Sequence, residues 1–475
     1  MSSNRKPKAA PRRRPAQPAE PPVVGFVSLG CAKNLVDSEV MLGRIAESGA
    51  IITPDESAAD TIVVNTCGFL EAARAEALEV LTDLATRKKD GSLRRLVVVG
   101  CLVQRDGEML LEAVPEIDAL VGVHRRDDVA RAVWGTAPRG RSRRTQGHEL
   151  HLGDYHPQPW NDQGRLRLTP AHYAYIRLSE GCNQKCTFCT IPSIRGPLHS
   201  KTPAEIITEC QELIADGAQE LILIGQDTTS YGRDRGDDAG LPGLLRQLDA
   251  ACTGARWLRL MYVYPSVFDD EAIAALAECA RVVKYVDLPL QHINDRILRR
   301  MGRRVTREQT EALLEKLRRQ IPGVAIRTTM IVGFPGETDA EFDELLAFVR
   351  DFGFEAAAAF RYSPEPGTPA IRLPGQIPDE IRQERHERFM LTQHEVALAA
   401  ARARIGQEFD VLVDGADEAG QLVARHAGQA PEVDAVCLLP AEAASVGEFV
   451  PVRCVEAADY DLVVQPRRRR LPVKH

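Results

Sequence analysis

Three times within residues 23–135 the sequence repeats one unit: a short apolar, β-branched run, a cysteine at its end, then a segment with helical spacing. VVGFVSL leads to Cys31 and NLVDSEVMLGRIAESG, TIVVNT to Cys67 and FLEAARAEALEVLTDLA, and RRLVVVG to Cys101 and DGEMLLEAV. Short buried strands that alternate with helices predict a doubly wound parallel sheet, and a fourth unit, ALVGVH then RDDVARAVW, extends it without a cysteine. The C-terminal ends of such strands share one edge, where ligands bind. Cys31, Cys67 and Cys101, 36 and 34 residues apart, therefore converge on one candidate site. The competing reading is three buried cysteines packed as small hydrophobes.

The rest of the chain divides by composition. Residues 136–169, rich in Arg, Gly, Pro and Gln, read as a linker. Six further strand and helix alternations in residues 170–378 predict a partial (β/α) barrel, with Thr202 and Glu205, Thr306 and Gln309, and Thr338 and Glu341 as capping boxes. A connecting helix spans 379–404, and short alternating runs in 405–466 predict a small β-barrel. Residues 1–22 and 467–475 form basic tails, the first with six prolines and no apolar signal region, so it is expected to be disordered in a cytoplasmic protein. No stretch approaches the length of a membrane span.

Eleven cysteines in a chain without a secretion signal favour metal or redox chemistry over a disulfide framework. GCNQKCTFC sets Cys182, Cys186 and Cys189 at C-x3-C-x2-C directly after the first barrel strand, at the end where barrels carry their chemistry. Three thiolates can hold three irons of a 4Fe-4S cubane and leave the fourth open for S-adenosylmethionine, which the reduced cluster cleaves to a 5'-deoxyadenosyl radical. A zinc knuckle needs a fourth ligand, and His199 is the only histidine soon after. The other five cysteines, Cys210, Cys252, Cys279, Cys437 and Cys454, show no ligand spacing and read as core.

The cysteine loop, with Phe188 before its last cysteine, resembles the radical-SAM superfamily over residues 173–363. With the three-cysteine sheet and a TRAM-like C-terminal barrel, the chain is similar to the radical-SAM methylthiotransferases over residues 23–465. That resemblance implies two 4Fe-4S clusters, the second an auxiliary cluster on Cys31, Cys67 and Cys101. It further implies S-adenosylmethionine as both methyl donor and radical source, and assigns Phe188 to the adenine and Gln226 to the methionine moiety. His292 and Arg327, near barrel strand ends, are left out of the site.

The family modifies either tRNA adenosine derivatives or an aspartate β-carbon of ribosomal protein S-twelve. Residues 406–463 hold twelve acids against Arg425 and Arg453, the wrong sign for tRNA and suited to a basic ribosomal protein. SLGCAKNLVDSE, NTCGF, YVYP, DLPLQH and IVGFPGET resemble the protein-modifying branch. The expectation is therefore a monomeric protein aspartate methylthiotransferase, served by an electron donor of flavodoxin or ferredoxin type. The alternatives are a tRNA methylthiotransferase, or a non-catalytic iron-sulfur carrier or zinc protein.

Overall fold

The computed structural model describes residues 20–136, 143–145, 147–155 and 161–467, so nearly all of both basic tails lies outside the described residues. The N-terminal sheet has strands β1 (Val23–Ser28), β2 (Ile51–Ile52), β3 (Thr61–Thr66), β4 (Arg95–Gly100), β5 (Ala119–Gly122), β6 (Arg143–Thr145) and β7 (His148–His151), in the order β2-β1-β3-β4-β5-β7-β6. The three strands that lead to cysteines are parallel neighbours, with Ser28 opposite Asn65 and Thr66 opposite Gly100. Helices α1 (Ala32–Glu47), α2 (Glu71–Lys89), α3 (Cys101–Ala113) and α4 (Val129–Trp134) cover both faces.

Adjacent residues of one strand feed opposite cores. Ile62 and Val64 pack with Leu81 of α2 and Leu110 of α3, whereas Val63 packs with Met41 and Ile45 of α1. Burial on both faces is why TIVVNT and RLVVVG read as unbroken apolar runs, each fully buried aliphatic side chain contributing about 1.5–3 kcal/mol.

Residues 136–169 are not a linker throughout. β7 pairs in parallel with β5, Leu150 opposite Leu120, and Asp162 is buried beside Arg177 of the barrel. A four-residue strand, HELH, with one aliphatic side chain carries too little periodicity to be read from sequence.

The barrel follows. β8 (Tyr173–Arg177) leads to β9 (Ser179–Glu180), which pairs antiparallel with β10 (His199–Ser200) and so closes the base of the loop between them. β8, β11 (Glu220–Ile224) and β12 (Trp257–Leu260) are parallel, as are β13 (Tyr285–Asp287), β14 (Ala325–Val332) and β15 (Ala356–Arg361); a bridge between Leu258 and Val282 joins the two halves. The short α5 (Ile191–Arg195) follows the cysteine loop, and α6 (Pro203–Ala215), α7 (Gly240–Ala251), α8 (Asp270–Glu278), α9 (Asp295–Arg300), α10 (Arg307–Gln320) and α11 (Asp339–Phe352) connect the strands. All three capping boxes form. α12 (Asp379–Arg402) leads to a closed barrel of β16 (Glu408–Ala416), β17 (Leu422–His426), β18 (Cys437–Leu439), β19 (Phe449–Ala458) and β20 (Asp461–Pro466). Cys210, Cys252, Cys279, Cys437 and Cys454 are buried, as expected of core residues.

The small barrel stoppers the large one. Tyr173, Glu220, Trp257, Tyr285 and Ala325 each begin a strand, and the loop 427–434 seats among them. Arg259 donates to the Ala427 carbonyl at 2.9 Å, and the Tyr285 hydroxyl donates to Asp434 at 2.8 Å. Buried Glu220 takes Arg259 at 2.7 Å and Arg425 at 2.8 Å, and Arg425 also holds Asp414 at 2.6 Å. Four of the twelve acids are spent on this joint, Asp414 and Asp434 as above, Asp410 on Arg256 and Glu432 on the Tyr173 hydroxyl, which makes the acidic surface smaller than the residue count.

Removing one partner of such a buried set strands the others. Arg425→Met is expected to lower stability by about 3 kcal/mol, read as a reduced urea midpoint of unfolding.

Candidate active site

The C-x3-C-x2-C loop leaves β9 through Gly181, whose φ is +74° and where an added Cβ would lie 2.1 Å from the Pro197 carbonyl oxygen. Only glycine allows that approach. The Cys182 N–H then donates to the Gly196 carbonyl at 3.2 Å. Main-chain N–H groups point at the thiols: Gln184 to Cys182 Sγ and Ile191 to Cys189 Sγ, each at 3.4 Å. Cys186 Sγ lies 3.9 Å from the Tyr264 hydroxyl and 3.8 Å from the Arg303 guanidinium, which itself stacks 4.1 Å from the Tyr264 ring centroid.

Burial pushes the Cys182 and Cys189 thiols up to about 12, with the Ile191 and Gln184 N–H groups and Arg303 pulling the other way. Donors and a cation aimed at sulfur suit thiolates that carry metal. Among the described residues no three His, Cys, Asp or Glu side chains gather tightly enough for a single metal ion.

Both residues assigned to S-adenosylmethionine flank this loop. Phe188 packs edge-on to Phe334 at 6.3 Å between ring centroids. Gln226, just beyond β11, donates to Glu180, while its Oε1 is buried without a partner. Ser179 Oγ, Thr190 Oγ1 and Arg303 Nε are likewise buried and unpartnered. Such unmet groups fit a polar ligand.

The second cysteine set comes together at the sheet edge. Cys31 is the N-cap of α1, Cys67 follows β3 directly, and Cys101 opens α3. Gly30, at φ +99°, brings the first loop so near the second that an added Cβ would lie 2.8 Å from Cys67 Cβ. Asn34 stitches all three loops: its amide nitrogen donates to Leu29 and Thr66 carbonyls, and its Oδ1 faces Cys101 Sγ at 3.4 Å. Burial pushes Cys101 up to about 12, against the pull of Arg195. The positive ends of α1 and α3 favour charge on sulfur.

Arg195 joins the two sets. It ends α5, six residues after Cys189, and its Nε and Nη2 donate to Cys101 Sγ at 3.2 and 3.1 Å. Its remaining donors meet Asp37 at 2.7 Å, Glu180 at 3.0 Å and Asn34 at 2.6 Å. Burial opposes ionisation of Asp37, but Arg177, Arg195 and Arg126 overcome it and hold that carboxyl well below the usual range.

A second bridge is the YVYP segment after β12. Tyr264 faces Cys186, while the Lys33 ammonium, two residues past Cys31, lies 3.2 Å from the Tyr262 ring centroid. Sequence reasoning missed Arg195, Asp37, Asn34, Tyr262, Tyr264, Arg303 and Lys33. Of the two residues left out of the site, His292 is buried, accepts from the Asn294 N–H at 3.0 Å and has its Nε2 3.6 Å from Glu337, and Arg327 pairs with Asp287 at 2.8 Å and Asp434 at 3.3 Å.

Three segments match known families: residues 23–122 the uncharacterized protein family UPF0004, 176–349 the radical SAM superfamily and 405–466 the TRAM domain. The chain is 43% identical to the ribosomal protein uS12 methylthiotransferase RimO of Syntrophotalea carbinolica, over 93% of this chain and 96% of that one. It is 44% identical to the RimO of Anaeromyxobacter sp. (strain K), over 92% of this chain and 91% of the relative. Among solved structures, the radical S-adenosylmethionine methyltransferase TsrM of Kitasatospora setae shares the fold, with a TM-score of 0.53 and 17% identity over 74% of this chain and 77% of that one.

The raised thiols make a pH-dependent prediction. In metal-free protein the reactive thiolate of Cys101, Cys182 and Cys189 grows about tenfold per pH unit until pH nears 12. Iodoacetamide labelling at about pH 7.5 should therefore be slow at these three and faster at exposed Cys31. It should speed up at these three thiols by about pH 9.5, as read by peptide mass mapping.

Proposed function

The chain belongs to the ribosomal protein uS12 methylthiotransferases of the radical SAM superfamily, and on that premise we propose that it attaches a methylthio group to the β-carbon of an aspartate in uS12. It is a transferase whose cofactors are S-adenosylmethionine and two 4Fe-4S clusters. Cys182, Cys186 and Cys189 are the ligands of the radical-generating cluster, and Cys31, Cys67 and Cys101 those of the auxiliary one. When bound, these groups supply a hydrogen-abstracting radical at the first site and a methylated sulfur at the second.

The observation that carries this reading is the shared segment. Tyr264 faces Cys186 and the Tyr262 ring carries the ammonium of Lys33, two residues past Cys31, so one short segment borders both sites. One substrate carbon between them can lose hydrogen to one side and gain sulfur from the other. Arg303 and Tyr264 support charge on the first thiolates, and Arg195 with the N-termini of α1 and α3 supports it on the second. Phe188 would flank the adenine of bound S-adenosylmethionine, and Gln226, whose Oε1 has no partner, would lie by its methionine moiety.

No helix of the described residues is long and apolar enough to cross a membrane. We place the enzyme in the cytoplasm as a monomer that takes electrons from a flavodoxin- or ferredoxin-type protein. The exposed acids of the small barrel face a basic partner rather than tRNA.

Reconstituted enzyme, given S-adenosylmethionine, sulfide and reductant, is expected to raise the mass of uS12 by one CH2S unit. The same gain on tRNA, with uS12 unchanged, would overturn the assignment. Cys182→Ala, Cys186→Ala or Cys189→Ala should abolish cleavage of S-adenosylmethionine, whereas Cys31→Ala, Cys67→Ala or Cys101→Ala should spare cleavage and stop methylthiolation. Both readouts come from one chromatographic assay of 5'-deoxyadenosine and modified protein.

A further inference from the structure

Carbon that receives sulfur between the two cysteine sets brings its substituents with it. In an aspartate the β-carbon is bonded directly to the carboxyl carbon, so the carboxylate must sit one bond from the transfer point. Placing that charge out of water requires a cation or dipole already aimed there.

The cations around the site can be sorted by what already occupies them. Arg195 is spent on Asp37, Glu180, Asn34 and Cys101. Arg327 is spent on Asp287 and Asp434. Arg303 lies on the opposite side, against Cys186 and Tyr264, and donates to the Pro289 carbonyl. Lys33 remains. It is half-buried, two residues from Cys31, and its ammonium rests on the face of Tyr262. Among the described residues no carboxylate lies within 4.0 Å of its Nζ; the nearby Asp287 is taken by Arg327 and by the Tyr262 N–H at 3.1 Å.

One further feature fixes this corner. Lys33 stands in the first turn of the 16-residue α1, two residues past its N-cap Cys31. Tyr262, which fixes the ammonium, is itself held at φ +61°, a conformation bulky residues rarely adopt. Its carbonyl accepts from the Thr228 N–H at 3.2 Å, so the ring position is set from both sides of the peptide.

We infer that Lys33 binds the side-chain carboxylate of the substrate aspartate and thereby selects a carboxylate-bearing carbon for sulfur transfer, an inference that rests on the uS12 aspartate reading above. A second source of the same chemistry is the methionine carboxylate of S-adenosylmethionine. Lys33 stands in the auxiliary cysteine domain, two residues past Cys31, which favours the substrate.

The test is a binding cycle on the reconstituted holoenzyme, with Lys33 or Met in the enzyme and the target aspartate or asparagine in full-length uS12. Lys33→Met keeps the aliphatic stem against Tyr262 while removing the charge. The expected result is a loss of affinity for aspartate uS12 of about tenfold or more, no further loss for asparagine uS12, and unchanged affinity for S-adenosylmethionine and unchanged iron content. Lys33→Arg, which keeps the charge, should recover most of the binding. Equal losses with aspartate and asparagine uS12, or equal losses in the Met and Arg variants, would overturn the role. So would weakened S-adenosylmethionine binding with uS12 affinity intact, since the carboxylate would then be the cofactor's. Failure of the unmodified enzyme to bind or modify uS12 would instead strike the functional reading itself.

Discussion

The buried guanidinium of Arg195 is the interaction on which the site depends. Taking one such charge out of water costs several kcal/mol, and only close partners on all sides offset it. Here the partners come from two domains: Glu180 from the barrel, and Asp37, Asn34 and Cys101 from the N-terminal sheet. If the domains slid apart, each of these groups would be left unpaired. Arg177, Arg126, Lys201 and Asp162 enlarge the same network, so the cysteine loop and the cysteine edge are fixed against each other by charge rather than by a flexible hinge.

The two ends of the large barrel are treated differently. Its N-terminal end is closed by the loop 427–434 and the buried Glu220, Arg259 and Arg425 set. Its C-terminal end meets the cysteines, and there the backbone is strained. Tyr262 and Gln291, just past neighbouring strands, hold φ at +61° and +74°, each costing about 1–3 kcal/mol. Bonds from Thr228 to Tyr262 and between Gln291 and Ile331 sustain those conformations. Strain of this kind places side chains where an ordinary strand end would not.

Much of this was legible in the sequence, for physical reasons. Six cysteines showed because ligand spacing and position after a strand are local signals, and the parallel sheet because burial on both faces leaves unbroken apolar runs. Arg195, Asp37, Asn34 and Lys33 did not show, because a charged or polar residue looks the same in sequence whether it meets water or a partner 158 residues away, as Asp37 meets Arg195. β7 was hidden by its length. The acid count of the small barrel was right as arithmetic, but Asp410, Asp414, Glu432 and Asp434 are taken up at the joint. Knowing that required the position of the loop, which no local pattern encodes.

The account stands on two separate three-cysteine sites held at one interface. Iron and acid-labile sulfide measured anaerobically, on the reconstituted chain and on two triple variants, test this most directly. The variants are Cys31→Ala with Cys67→Ala and Cys101→Ala, and Cys182→Ala with Cys186→Ala and Cys189→Ala. The account requires about eight irons with matching sulfide in the parent and about four in each variant. Zinc without sulfide, or iron that depends on only one of the two cysteine sets, would contradict it.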